Sequence, residues 1–130
     1  MALKVYEKKN LKEEEMSTAL RREIYILAAL EHKNIVSLYE VINSRTHVHL
    51  VMELCEGKSL FHLIKKANEQ KISGLPEKLV LIIFRQIIDA VSFMHSKSIV
   101  HRDLKLENIL YNPLNHEIKI IDFGFAIKCD

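Results

Sequence analysis

One loop and a short segment after it carry the side chains best suited to chemistry. His101-Arg102-Asp103-Leu104-Lys105-Leu106-Glu107-Asn108 gathers an acid, a lysine and an amide, and Asp122-Phe123-Gly124 adds a second acid beyond an intervening turn. These groups suit metal-assisted phosphoryl transfer. Asp103 would orient a hydroxyl nucleophile and accept its proton. Asn108 and Asp122 offer hard oxygen ligands to Mg2+, and Lys105 would neutralise charge on the moving group. The plain alternative for each aspartate is a loop residue capping a turn, but both motifs occur together and in order.

The elements that must hold these groups can be read from periodicity. Met1 to Lys8 alternates weakly and reads as a strand, followed by a charged connector, Lys9 to Glu15. Met16, Leu20, Ile24, Leu27 and Leu30 recur at helical spacing, with the acidic Glu13-Glu14-Glu15 run favouring a helix start and Ser17 or Thr18 as alternative caps. Ile35 to Val41 and Val48 to Cys55 read as strands joined around Asn43-Ser44-Arg45. Ser59 to Lys66 reads as a short helix, and Ala67 to Gly74 as a polar linker. Pro76 opens the longest helix, to about Ser96, with Val80, Ile83, Phe84, Ile87, Val91 and Met94 as its apolar stripe. Ile109 to Tyr111 and Glu117 to Ile121 bracket a turn at Asn112-Pro113-Leu114-Asn115. The class expected is α+β.

With 130 residues the chain is sized for one small domain, and 48% hydrophobic residues supply a core. A formal net charge of +2 with interspersed signs shows no basic face for nucleic acid. The longest uninterrupted apolar run, Leu79 to Phe84, is far too short for a bilayer, so no membrane partner is expected. The start lacks the pattern of a secretory signal. Two cysteines, Cys55 and Cys129, make no disulfide framework, and a reducing cytoplasmic or nuclear location is expected. His47 and His49 share one strand face and could form half a metal site, but exposed strand histidines are the plainer reading.

The two motifs resemble those of the eukaryotic protein kinase family, and Lys105 marks its serine/threonine branch. The surrounding residues are most similar to the calmodulin-dependent and AMP-activated kinase group. The resemblance implies ATP and Mg2+ as cofactors and protein serine or threonine as substrate. It implies a small antiparallel sheet with one helix over residues 1–55. Residues 56–130 would carry the end of the hinge, the long helix, the catalytic loop and the Asp-Phe-Gly motif. Glu23, a carboxylate on an apolar helix stripe, needs a partner, and the resemblance supplies Lys4, whose ammonium would bind nucleotide phosphates. A surface glutamate and a solvated lysine are the alternative. Adenine would bind backbone groups of Glu53 and Cys55 after Met52, between Ala2 and Leu110. No acid stands near Ser59 for the ribose. Glu107 matches an acid used against substrate arginine, implying basic-directed substrates. Leu27, Leu38, His101 and Phe123 match a hydrophobic column, and His32 belongs to a structural turn.

By the same resemblance the chain covers the middle of a kinase domain. It begins inside the third strand, contains no glycine-rich phosphate loop or Ala-Pro-Glu, and stops shortly after Gly124. The expectation is a protein serine/threonine kinase by ancestry whose isolated chain has little or no activity. A non-catalytic half-kinase, whose exposed long helix meets a partner, and an incomplete gene model are the alternatives.

Overall fold

The computed structural model describes residues 1–10, 15–71 and 74–129. Three strands, β1 (Ala2–Glu7), β2 (Leu38–Asn43) and β3 (His47–Met52), form an antiparallel sheet with β3 in the centre. Helix α1 (Glu15–Ala29) lies between β1 and β2 in sequence. Two strands begin later or end earlier than their apolar residues suggest. Ile35 and Val36 belong to no strand of this sheet. Val36 donates to the Ile120 carbonyl at 3.0 Å and Ile120 donates to the Asn34 carbonyl at 2.8 Å, so the segment after α1 pairs across to the other half of the chain. The helix begins before Ser17 and Thr18, which lie within its span. Of the charged connector, residues 11–14 fall outside the described residues.

The second half starts at Gly57. Its φ of +104° and the 2.1 Å that would separate an added Cβ from the Tyr111 carbonyl oxygen leave room only for glycine. Strand β4 (Lys58–Ser59) follows, then α2 (Leu60–Glu69), capped by the Ser59 hydroxyl accepting from His62 N–H at 3.2 Å. The helix takes the first residues of the expected linker, of which Ile72 and Ser73 fall outside the described residues. Helix α3 (Glu77–Ser96) has Pro76 at its cap, where the Pro76 carbonyl accepts from Leu79 and Val80.

Beyond α3, β5 (Ile99–Val100) pairs with β8 (Ile127–Lys128), and β6 (Ile109–Asn112) lies between β4 and β7 (Glu117–Ile120). The two-residue strands β4, β5 and β8 have too few residues to show periodicity. They matter because β5 and β8 tie together the chain on either side of the two chemical motifs.

The buried face of α3 differs from the expected stripe. Ile83, Ala90 and Met94 are buried and Ile87 and Val91 half-buried, but Val80 and Phe84 are exposed, as are Leu81, Ile82 and Ile88. A helix apolar nearly all round offers no unique stripe. By length and composition α3 is also long and apolar enough to cross a membrane, which the six-residue run concealed because Arg85, Gln86 and Asp89 interrupt it. Its packed face rests on β5 and β7.

Candidate active site

β1 and α1 build the first half of the site. Lys4 and Tyr6 are two apart on β1 and so project from one face. Both reach Glu23, which is 4% exposed on α1. Lys4 Nζ lies 2.7 Å from Glu23 Oε1, and the Tyr6 hydroxyl donates to Oε2 at 2.6 Å. Each carboxylate oxygen thus has a charged or strong donor, which is what burying it requires. Burial alone would lower the Lys4 pKa. The hydrogen bonds and the Glu23 charge outweigh that and leave it raised. Burial first, then the bond to Glu23, pushes the Tyr6 hydroxyl up to about 12. The Lys4 ammonium also lies 3.8 Å from Asp122 Oδ1, so one cation links α1 to the second motif.

The catalytic-loop residues converge on themselves. Lys105 Nζ is 3.0 Å from Asp103 Oδ2. The Asn108 amide nitrogen donates to the same oxygen at 3.0 Å and to the Asp103 carbonyl at 2.9 Å. Its nitrogen is thereby committed to the loop, leaving the amide oxygen as the atom able to ligate a cation. The Lys105 bond is the main reason the Asp103 carboxyl is held below its usual range, with Asn108 and His101 adding to it. Arg102 and Asp122 both adopt positive φ, 65° and 59°, conformations that cost free energy and persist only where surrounding bonds enforce them. Those bonds are present: Arg102 Nε donates to the Phe125 carbonyl at 2.7 Å, and Gly124 N–H donates to Asp122 Oδ1 at 3.3 Å.

His101 couples the two motifs. Its Nδ1 accepts from Asp103 N–H at 3.2 Å, so its other nitrogen carries the proton and donates to the Ile121 carbonyl at 3.0 Å. The ring is 1% exposed and meets Phe123 edge-on at 4.8 Å. Ile121 in turn donates to the Asn108 carbonyl at 2.9 Å. The loop bearing Asp103 and Asn108 is therefore tied to the residue before Asp122 by the His101 ring and by the Ile121–Asn108 backbone bond.

A cleft of about 330 Å³ lies between the Lys4, Glu23 and Asp122 cluster and the chain joining the halves; Asp103, Lys105 and Asn108 are not in its lining. Ala2, Lys4, Glu23, Met52, Glu53 and Cys55 line it together with Leu110 and Asp122. All the residues singled out from sequence for adenine and phosphate thus face one space. Glu53 N–H is used by the Ser37 carbonyl at 2.9 Å, whereas its own carbonyl receives only a weak 3.9 Å contact from the Cys55 thiol. That leaves a hydrogen-bonding edge suited to a heterocycle. The donor set also suits Mg2+, which takes one or two carboxylates and completes its shell from phosphates and water. No cluster of three His, Cys, Asp or Glu able to hold a metal occurs among the described residues; His47 and His49 meet in a tilted ring contact, and His47 Nδ1 lies 2.8 Å from the Thr46 hydroxyl.

Three contributors were not legible from sequence. Tyr6 is one. Lys119 is another: it contacts Glu53 at 2.8 and 3.0 Å, both side chains being about a fifth exposed, and so braces the hinge against β7. The third is Gln86, whose carbonyl accepts from Asn34 at 2.8 Å and Ile118 N–H at 3.2 Å while its amide donates to the His116 carbonyl at 2.8 Å. This joins α3, β7 and the turn after α1. His32 in that turn is structural as expected, with its ring against Phe93 and Nε2 3.4 Å from Asp89.

The family model of the protein kinase domain matches residues 1–130. The chain belongs to the protein kinase family. Calcium-dependent protein kinase 5 of Plasmodium falciparum (isolate 3D7) is 44% identical over 130 residues, covering 98% of this chain and 22% of that protein. CBL-interacting serine/threonine-protein kinase 17 of Arabidopsis thaliana is 40% identical over 126 residues, covering 96% and 28%. SNF-related serine/threonine-protein kinase of Rattus norvegicus is 39% identical over 129 residues, covering 98% and 16%. The chain spans less than a third of the length of each of these relatives. The kinase resemblance of the two motifs is thus borne out by the whole chain, and the α+β architecture agrees with it.

Proposed function

We propose that these residues form the central part of a protein serine/threonine kinase that transfers the ATP γ-phosphate to a protein hydroxyl. The observation that carries the reading is the Lys4 ammonium, 2.7 Å from Glu23 and 3.8 Å from Asp122, in a cleft of about 330 Å³ that Asp122 also lines. Glu53 and Cys55 backbone groups would hold adenine between Ala2 and Leu110, beyond Met52. Lys4, oriented by Glu23, would bind phosphate oxygens. Asn108 and Asp122 would hold Mg2+, which when bound neutralises phosphate charge. Asp103, kept ionised by Lys105, would orient the substrate hydroxyl and accept its proton; Lys105 would turn from Asp103 to the transferring group. Glu107 is exposed beside this loop, in keeping with substrates bearing basic residues. Both cysteines are free, in keeping with an intracellular setting.

The 130 residues alone contain no glycine-rich loop to cover phosphates, so weak ATP binding and negligible transfer are expected of them in isolation. The exposed apolar residues of α3 support a second reading, an interaction module whose long helix meets a partner. The deciding experiment places the segment in a complete kinase domain and compares it with Asp103→Asn. Loss of transfer with ATP affinity retained supports the catalytic reading. Unchanged turnover sinks it.

A further inference from the structure

Away from the cleft, a pocket of about 480 Å³ opens between α2 and the β6–β7 hairpin. Leu63, Pro113 and the largely buried Tyr111 lie on its mainly apolar wall, and Lys58, His62 and Lys66 stand around it. The basic side follows from local structure. Ser59 caps α2, which puts Lys58 at the entrance, while His62 and Lys66 are one turn apart on the same helix face. An adjoining hollow adds Lys65, with Glu69 as its acid. The other nearby acid, Glu56, is engaged by the Asn112 amide at 3.4 Å. Among the described residues, Lys58, Lys65 and Lys66 enter no ion pair, like Lys8, Lys71, Lys78, Lys97 and Lys128; what sets the first three apart is that they cluster around one apolar pocket. The Tyr111 hydroxyl is committed to His116 at 2.6 Å; the residue is 5% exposed and closes the back of the pocket.

An apolar floor inside a rim of unpaired cations defines a complementary ligand. The floor takes one bulky apolar side chain, and the rim attracts carboxylates on either side of it. The volume falls within the range of roughly 300–1,000 Å³ typical of binding pockets. A free phosphate would find no donor in the floor. We propose that this pocket docks an acidic protein segment anchored by one large apolar residue. It lies outside the cleft proposed for nucleotide and shares no lining residue with it.

The test is fluorescence anisotropy with a labelled peptide of glutamates flanking a central Leu-Phe pair. Two companion peptides are used, one with the pair changed to Ser-Ser and one with the glutamates changed to glutamines. The chain is compared with Lys58→Glu/Lys66→Glu and with Arg45→Glu/Arg85→Glu, which makes the same charge change outside the pocket. Expected is saturable binding, weakened at least about tenfold by either peptide change and by the Lys58/Lys66 reversal, but much less by the control reversal. Circular dichroism confirms that both variants fold, and the peptide comparison on the unaltered chain stands whether or not they do. Absence of binding, equal binding of the Ser-Ser peptide, or equal loss in the two double variants overturns the proposal. So does preferential binding to phosphatidylserine vesicles over the peptide, which would make the surface a lipid contact.

Discussion

The chain holds two lysine–carboxylate pairs of similar length, 2.7 Å for Lys4–Glu23 and 3.0 Å for Lys105–Asp103, built in opposite ways. Lys4 and Glu23 come from a strand and a helix, and the Glu23 side chain is only 5% exposed. Lys105 and Asp103 are neighbours on one loop, with side chains 50% and 25% exposed. The first pair exists only when α1 is docked on the sheet; the second needs little more than its own loop. Both lysines have raised pKa values, but for Lys4 burial opposes a set of buried bonds, whereas for Lys105 the bond to Asp103 leads. A short ion pair thus carries different meaning according to what must assemble to make it: one reports tertiary packing, the other is free to exchange partners.

The largest effect is expected from unbalancing the buried pair. Lys4→Met leaves the Glu23 carboxylate buried with Tyr6 as its remaining donor. Stranding a buried charge costs about 3 kcal/mol, the lower end of the range for such pairs because Lys4 is itself partly solvated. Glu23→Gln leaves the stranded group on the solvated side and retains an amide that can still meet both partners, so about 1 kcal/mol is expected. Urea unfolding of the two variants measures the asymmetry. Equal losses would show that Glu23 is not the desolvated member.

Tyr6→Phe should come next, at about 1.5 kcal/mol for a hydrogen bond to a charged group. Its signature is alkaline. The Tyr6 hydroxyl is raised from 10.0 to about 12 in the folded chain, so between those values the unfolded chain has lost a proton that the folded chain keeps. Stability from Tyr6 is therefore full below about pH 10 and lost as pH rises towards its folded value. Lys4, also raised, has the same sign. Unfolding midpoints near pH 9 and pH 11 should fall steeply for the unaltered chain and less steeply for Tyr6→Phe. Parallel slopes would remove Tyr6 from the cluster.

The same contrast explains what could be read from sequence. Asp103, Lys105, Asn108 and Asp122 were legible because their geometry is carried by short segments with characteristic order. Glu23 was legible because a carboxylate on an apolar stripe demands a partner. Tyr6 was not, because an aromatic residue in a strand is ordinarily a packing residue and its hydroxyl partner lies on α1; its place two residues from Lys4 was the available signal. Lys119 and Gln86 act across elements distant in sequence, which local periodicity does not register. The start of β2 was misplaced for a related reason: Ile35 and Val36 are apolar for burial against β7, not for membership of the first sheet. On α3, consecutive apolar residues from Leu79 to Phe84 left the choice of buried face to tertiary packing, which excluded Val80 and Phe84.

The smallest effect on stability is expected from Lys105→Ala, and that makes it the sharpest check on the contrast. Removing the lysine leaves Asp103 with the Asn108 amide and with water, so no carboxylate is stranded. The unfolding midpoint should stay within measurement scatter. What should move is the Asp103 titration. The Lys105 hydrogen bond is the leading cause that holds its pKa down, so its removal should shift the carboxyl titration, followed by carbon NMR, upward towards the ordinary aspartate value. In a complete kinase domain the same substitution should lower transfer while leaving ATP affinity nearly intact, because on the proposed reading Lys105 meets the moving phosphoryl group and not the adenine. If instead Lys105→Ala destabilises the chain as much as Lys4→Met, the loop pair is structural as well, and the division between a packed pair and an exchangeable one is lost.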